Sequence, residues 1–395
     1  MNAARVIHLV ADDVSVLLAL RGELLPTIAH WGRRLAAPDG DLLAFADSTH
    51  RTGIDGESDV PYDPSLLPEH THGWGGRPGL SVHRSGTAWS PRLSMQTVEV
   101  DGEPVSPGQV VQRGAATVSV VARDEVAQIA VLLEIALTPA GLLRTRAVVR
   151  NESDSPGPLD VSAVSLALTV PTCAREVRDF AGRWATEKVP QRHPVVVGMH
   201  TRGSRRGRTG LDATATMAIG TPGFDAGSGE VWLCHVGFGG NHEHAVERAD
   251  GYLAFRGGEL LLPGEVRLEH GQEYSSPWVY GSYGYGLDAA SHRFHRFLRG
   301  VSRAAGRPRP VTLNVWEAVL FDQDHDTLAE LASQAADLGV ERYVVDDGWF
   351  RGRRDDRAGL GDWTPDPDVW PDGLGPLARH VRSLGMELGL WVEPE

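Results

Sequence analysis

The hydrophobic period of this chain changes near residue 287, and that change limits the possible folds more than any figure of composition. Before it, apolar residues recur at every second position or in short runs, at Thr117–Arg123, Ile129–Leu137, Leu142–Val149, Leu159–Val170, Gly229–Val236 and Tyr252–Leu262. Side chains on a strand alternate between faces, so these segments read as strands. Turn material is expected between them at Asn151–Pro158, Thr221–Gly229 and Arg256–Gly258. Many short strands punctuated by Gly and Pro predict a large antiparallel sandwich over residues 1–286. The stretch Arg51–Pro78 has no clean period and is expected to be a long ordered loop.

From Leu287 the spacing is helical. Leu287, Ala290, Phe294, Phe297 and Leu298 form one face and Gly300 stops the run, which predicts a linking helix within 287–309. Over 310–395 the pattern then alternates. Val311–Trp316, Glu341–Asp346 and Met386–Val392 read as strands, with helices over Thr327–Leu338 and Leu374–Leu384 between them. Thr327 and Glu330 have capping-box spacing, Leu328, Leu331, Ala335 and Leu338 would be buried, and Gly339 ends the helix. The second helix would bury Leu374, Leu377, Val381 and Leu384 and end at Gly385. Such a βαβαβ series requires parallel strands with right-handed crossovers. It fits a doubly wound sheet or the start of a (β/α)8 barrel. A dinucleotide fold should place a Gly-rich turn after its first strand, whereas Glu317–Asp322 contains no glycine, so the barrel is expected.

Composition removes several function classes. The 395 residues exceed what one hydrophobic core usually organises, so more than one domain is expected. A formal charge of -14 opposes a phosphate-backbone ligand, and nucleic acid is not an expected partner. Cys173 and Cys234 cannot build a disulfide framework, and Asp12 and Asp13 sit where a signal peptide needs its apolar run. A cytoplasmic protein with no membrane span is expected. Lys188 is the sole lysine, which excludes mechanisms that need one elsewhere.

The chemistry is expected at the carboxyl ends of the parallel strands, where barrels keep their working residues. Those ends carry Trp316 and Glu317, then Asp346, Asp347, Gly348 and Trp349, then Trp391, Glu393 and Glu395. Indoles pack on the C–H face of a pyranose, and carboxylates accept hydrogen bonds from hydroxyls at about 1.5–3 kcal/mol each. Asp346 and Asp347 are poorly placed as an acid and a nucleophile. Retaining glycosidases need two carboxyls about 5–5.5 Å apart on opposite sides of the scissile bond, whereas these approach from one strand end. The pair should bind rather than cleave.

Other polar clusters read as structural. His242 with His244, and His70 with His72, alternate at metal-compatible spacing but lack further ligands, so loop or surface positions are expected and no metal or cofactor is assigned. Arg202, Arg205, Arg206 and Arg208 read as a solvated turn with salt bridges. Phe238-Gly239-Gly240 is too short for a phosphate loop. Arg351–Arg357 reads as self-neutralising charge at the barrel mouth, and His292 and His295 as one residue on the helix face and one at its margin.

Four motifs together resemble family 36 of the glycoside hydrolases, the microbial α-galactosidases: Val315-Trp316-Glu317-Ala318, Val345-Asp346-Asp347-Gly348-Trp349-Phe350, Leu360-Gly361-Asp362-Trp363, and the ending Gly385 to Glu395. Asp47–Pro78, Thr201–Gly207 and Gly239-Gly240-Asn241 extend the resemblance upstream. It implies a β-supersandwich, a linking helix, a catalytic (β/α)8 TIM barrel and a small C-terminal β-domain. It also implies a retaining enzyme acting on terminal α-D-galactosyl residues of oligosaccharides such as melibiose and raffinose. By motif, Asp346 and Asp347 would accept from O4 and O6 of galactose, and Trp316 and Trp391 would line the subsite. The family's tetramer, a homo-oligomer, places an N-terminal loop at a neighbouring site. Here that loop falls within Arg51–Arg77, where the family's Gly-Asp-Phe-Arg turn is replaced by Gly75-Gly76-Arg77 after Trp74.

The family's nucleophile lies in a Lys-Trp-Asp motif on the fourth barrel strand and its acid/base on the sixth, and neither has a counterpart here. The expectation is a truncated α-galactosidase sequence with three of eight barrel strands, inactive as a 395-residue product. The alternatives are a non-catalytic galactose-binding or assembly protein and a raffinose-type galactosyltransferase.

Overall fold

Alternation builds the first part of the molecule strand by strand. In Ala116–Asp124, Val118, Val120 and Ala122 point into the core while Thr117, Ser119 and Val121 occupy the other face. That strand pairs antiparallel with Ile129–Leu137, which pairs with Leu142–Asn151, and all three belong to an eleven-stranded sheet. A four-stranded sheet joins Thr27–Arg33, Val14–Leu20 and Arg5–Ala11 to Val110–Arg113, the last pair being parallel. A second four-stranded sheet holds Leu166–Thr169, Tyr252–Glu259, His242–Ala249 and Gly198–Ser204. A three-stranded sheet centres on Leu159–Val164. Residues from these sheets share one core. Within it the Trp232 indole donates to the Trp31 carbonyl at 2.9 Å.

In this computed structural model the described residues are 5–50, 63–210, 216–249, 251–302, 306 and 308–393. The chain divides into two units, 1–302 and 303–395. The amphipathic helix Leu287–Val301 packs within the first, where Ser282 Oγ donates to the Ala290 carbonyl at 2.7 Å and Gly284 leaves room for the Ala290 backbone. Among the described residues, no helix is long and apolar enough to cross a membrane.

Several sequence expectations are corrected in this unit. Arg256–Gly258 is not a turn but the interior of the strand Tyr252–Glu259. Its glycines serve close packing, since a Cβ on Gly258 would stand 2.2 Å from the Val164 carbonyl oxygen. The run Leu159–Val170 splits at Ser165 into two strands of different sheets. His242 and His244 are buried on a strand, not at the surface, and both His292 and His295 are exposed. Arg202 lies on the strand Gly198–Ser204 rather than in a turn. Of the loop expected at Arg51–Pro78, residues 51–62 lie outside the described residues, and the remainder includes a short 3-10 helix, His70–His72. The two upstream turns that carry the resemblance meet, because Asn241 Oδ1 accepts from the Gly207 backbone N–H at 2.8 Å.

In the second unit, Thr312–Asn314, Arg342–Val345 and Glu387–Leu390 form a parallel sheet in that order. The helices His325–Asp337 and Gly375–Ser383 connect them and bury Leu328, Ala332, Ala335, Leu377 and Val381. The chain leaves both helices through a left-handed glycine, Gly339 and Gly385, each at φ +84°. The first helix starts earlier than the capping box suggested: Asp324 is the cap, its Oδ1 accepting from the Thr327 N–H at 2.9 Å. Asp is at least as good a cap as Thr, and Thr327 is thereby drawn into the first turn. Leu338 is 82% exposed rather than buried, because it follows the last helical turn.

Candidate functional site

The parallel strand Arg342–Val345 runs directly into Asp346 and Asp347, residues that are only 8% and 7% exposed although both are acidic. Such burial requires partners, and each carboxylate has its own. Asp346 Oδ1 accepts from the Asp347 backbone N–H at 2.6 Å, and its Oδ2 is bonded to the Asn314 amide from the neighbouring strand. Asp347 accepts two parallel hydrogen bonds from Arg353, Nε to Oδ1 at 2.8 Å and Nη2 to Oδ2 at 2.7 Å. This fork geometry fixes the carboxylate plane. The Asp347 carboxylate in turn raises the Arg353 guanidinium above its ordinary pKa.

The backbone of this turn is held as firmly as the side chains. The Gln323 amide donates to the carbonyls of Asp347 at 2.6 Å and Asp346 at 3.2 Å. Gly348 sits at φ +110° against it, a conformation only glycine adopts without strain. Arg354 donates to the Gly348 carbonyl at 2.8 Å and pairs with buried Asp366. Burial alone would raise the Asp366 carboxyl, but hydrogen bonds from the Asp368 and Gly352 backbone and the charge of Arg354 hold it below its usual range.

The two indoles reach the site differently. Trp316 does not end a strand; the strand stops at Asn314 and Trp316 opens the short helix Trp316–Val319. Asn314 causes the change, because its Oδ1 accepts from the Trp316 N–H at 2.8 Å while its amide holds Asp346. The Trp316 ring meets Phe321 edge-on at 5.0 Å, and Phe321 lies 5.5 Å from the Arg353 guanidinium. Trp391 follows the third strand, donating its backbone N–H to Val345 at 2.9 Å and stacking on Phe350 at 6.4 Å. Named contacts therefore connect all four candidate residues.

Three residues at this site were not singled out from sequence: Arg353, Asn314 and Gln323. Arg353 was hidden in the run Arg351–Arg357, read as self-neutralising charge at the barrel mouth with no member directed at Asp347. It is instead 6% exposed, drawn inward by Asp347, and also donates to the Ala358 carbonyl at 3.1 Å. Nothing in the spacing of Asn314 or Gln323 marked them. A separate cleft of about 750 Å³ in the first unit is lined by Phe180, Tyr280, Phe294 and Phe297 and holds no paired carboxylates.

Residues 24–269 match the glycosyl hydrolase family 36 N-terminal domain, and residues 273–395 match melibiase. The chain is 36% identical over 372 residues to an α-galactosidase of Escherichia coli, covering 93% of this chain and 50% of that one. It is 34% identical over 241 residues to α-galactosidase AgaA of Geobacillus stearothermophilus, covering 59% and 33%. The crystal structure of that AgaA superposes with a TM-score of 0.84 at 27% identity, over 98% of this chain and 56% of the other. A variant of it solved in complex with raffinose gives 0.85 at 26% identity, over 98% and 56%. The chain spans about half the length of the curated relatives it matches, or less.

Proposed function

The chain belongs to glycoside hydrolase family 36, and from that premise we propose that its second unit carries the galactose-holding side of an α-galactosidase site. In this reading residues 1–286 are the β-supersandwich, 287–309 the linking segment that begins with the helix Leu287–Val301 and 310–395 three βα units of a (β/α)8 barrel. Asp346 and Asp347 accept hydrogen bonds from O4 and O6 of a terminal α-galactosyl residue, and Trp316 and Trp391 line the subsite. The substrate class is α-galactoside oligosaccharides, in keeping with the raffinose bound in the relative's structure.

One observation carries the reading: two adjacent carboxylates, buried at the end of a parallel strand, are each held by a donor that leaves acceptor capacity free. An ionised carboxylate has about four lone-pair sites, and Arg353 occupies two on Asp347. A hydroxyl can take the remainder without displacing the arginine. The axial O4 distinguishes galactose from glucose, so a fixed acceptor there also selects the sugar. Residues 1–395 contain no Lys-Trp-Asp motif to supply a nucleophile, so this polypeptide holds the sugar without cleaving it. In a tetramer, the segment Trp74–Arg77 would approach a neighbouring site without the family's acid, its Arg77 pairing with Glu243.

Calorimetric titration of the 395-residue polypeptide tests this. Saturable galactose binding, weaker glucose binding, loss of binding in Asp347→Asn and no hydrolysis of nitrophenyl α-galactoside are expected. Equal affinity for glucose, or turnover of the nitrophenyl substrate, overturns the reading.

A further inference from the structure

Two strand pairs of the first unit bring a second set of polar side chains together, remote in sequence from the carboxylates above. Glu176–Arg183 pairs with Thr186–Pro194 in the eleven-stranded sheet, placing Val177 opposite His193. Asp179, two residues beyond Val177, shares its face. Gly198–Ser204 lies in a different sheet, with His200 and Arg202 on one face. Between these strands His200 Nε2 lies 2.7 Å, and His193 Nε2 3.8 Å, from Asp179 Oδ2. The two imidazole centroids are 4.0 Å apart.

We propose that Asp179, His193 and His200 form a binding site for a divalent transition-metal ion of the zinc type, with water completing its coordination. The donor set is two imidazoles and one carboxylate, which suits zinc. Bonds of about 2.0–2.2 Å place tetrahedral zinc ligands roughly 3.3–3.6 Å apart. The 2.7 and 3.8 Å separations bracket that spacing, and all three ligand atoms lie within 4.8 Å of one another. His193 supplies an independent sign: its Nε2 is buried, has no hydrogen-bond partner among the described residues, and faces the Asp179 carboxylate. Buried ring nitrogens are normally paired. A metal ion satisfies this one and displaces the proton that His200 shares with Asp179.

The surroundings set the affinity. Arg202 donates from Nε to Asp179 Oδ2 at 2.7 Å and from Nη2 to Oδ1 at 3.3 Å. An ion on Oδ2 therefore competes with one arm of the arginine and leaves the other. His244 stands opposite Arg202 in the strand pairing, 1% exposed. Burial pushes its pKa down to about 3, so it is neutral and does not repel a cation. The ion would tie together two sheets that otherwise meet here through the bonds of His200 and Arg202 to Asp179 and through the His193–His200 ring contact.

The probe is zinc sulfate titrated into the chelator-stripped 395-residue polypeptide, read by calorimetry, by melting temperature and by the visible spectrum of the cobalt form. One ion per chain, a raised melting temperature and a tetrahedral cobalt spectrum are expected. His193→Ala and His200→Ala should each weaken binding by about tenfold or more. Both side chains are about one-third exposed, so folding should survive, as circular dichroism can verify. Arg202→Gln should bind zinc more tightly, an outcome a merely structural Asp179 cluster does not produce. Replacing the exposed pair His292 and His295 by alanine should change nothing. No binding at micromolar zinc, binding unaffected by His193→Ala, or binding abolished by loss of the helix pair overturns the proposal.

Discussion

Arg256–Glu247 in the first unit and Arg353–Asp347 in the second are both buried ion pairs, but their arginines are used differently. Arg256, 2% exposed, donates to Glu247 at 2.6 Å and to the carbonyls of Arg77, Pro78 and Ser165 at 2.9, 3.2 and 3.3 Å. Most of its donors are directed at backbone, and three chain-distant segments are tied to one cation. Arg353 directs two of its three bonds at the carboxylate itself. The first pair closes a structure. The second presents an acceptor in a fixed orientation, which is what a site for hydroxyls requires.

The largest effect should come from breaking the closed pair. Arg256→Ala leaves Glu247 buried without its cation and frees three carbonyls, which should cost about 3–5 kcal/mol. Urea denaturation monitored on the first unit measures it. Restoring an apolar fit with Arg256→Met combined with Glu247→Gln should recover part of the loss. A cost below about 1 kcal/mol for Arg256→Ala, within the range of surface pairs, would mean that the clamp is redundant and the contrast with Arg353 is lost.

The second pair should answer mainly in binding. Asp347→Asn should abolish galactose binding while retaining the buried shape. Arg353→Lys keeps the charge but loses the fork, and should weaken galactose binding by about 1.5–3 kcal/mol, the worth of a charged hydrogen bond. Calorimetry on both variants, with circular dichroism as a control for folding, checks this. Arg353→Lys binding galactose as well as the parent would show that charge alone, without orientation, is sufficient.

How much of this was legible in sequence follows from where the interactions lie. The parallel unit was readable because its signals are local: helical spacing over residues 327–338, glycines at 339 and 385, and an Asp-Asp pair at a strand end. The exposed strand Thr186–Pro194 carries no apolar alternation to reveal it, and the helix Asp39–Ser48 interrupts a region read as all β. Arg353 was concealed because a charge run looks the same whether one member turns inward or none does. Asp179, His193 and His200 are brought together by pairing within one sheet and the approach of another, neither of which has a sequence period. The upstream motifs at 201–207 and 239–241 gave no sign of touching, although one hydrogen bond joins them.

The smallest expected effect supplies the reference for both pairs: a carboxylate with no buried partner. Asp324 is exposed and caps the helix His325–Asp337 through Thr327. Asp324→Ala should cost about 1 kcal/mol, well below either buried pair. Hydrogen bonds from the Thr327 side chain and backbone hold the Asp324 carboxyl below its ordinary value. Because the folded pKa is depressed, the unfolded chain binds the proton more readily. The cap's charge-dependent stabilisation is therefore complete above the unfolded carboxylate value of about 3.9 and disappears as pH falls through the lower folded value. Thermal melts of parent and Asp324→Ala should differ near neutral pH and converge in acid. A difference that stays constant in acid would assign the effect to helix propensity rather than to the ionised cap.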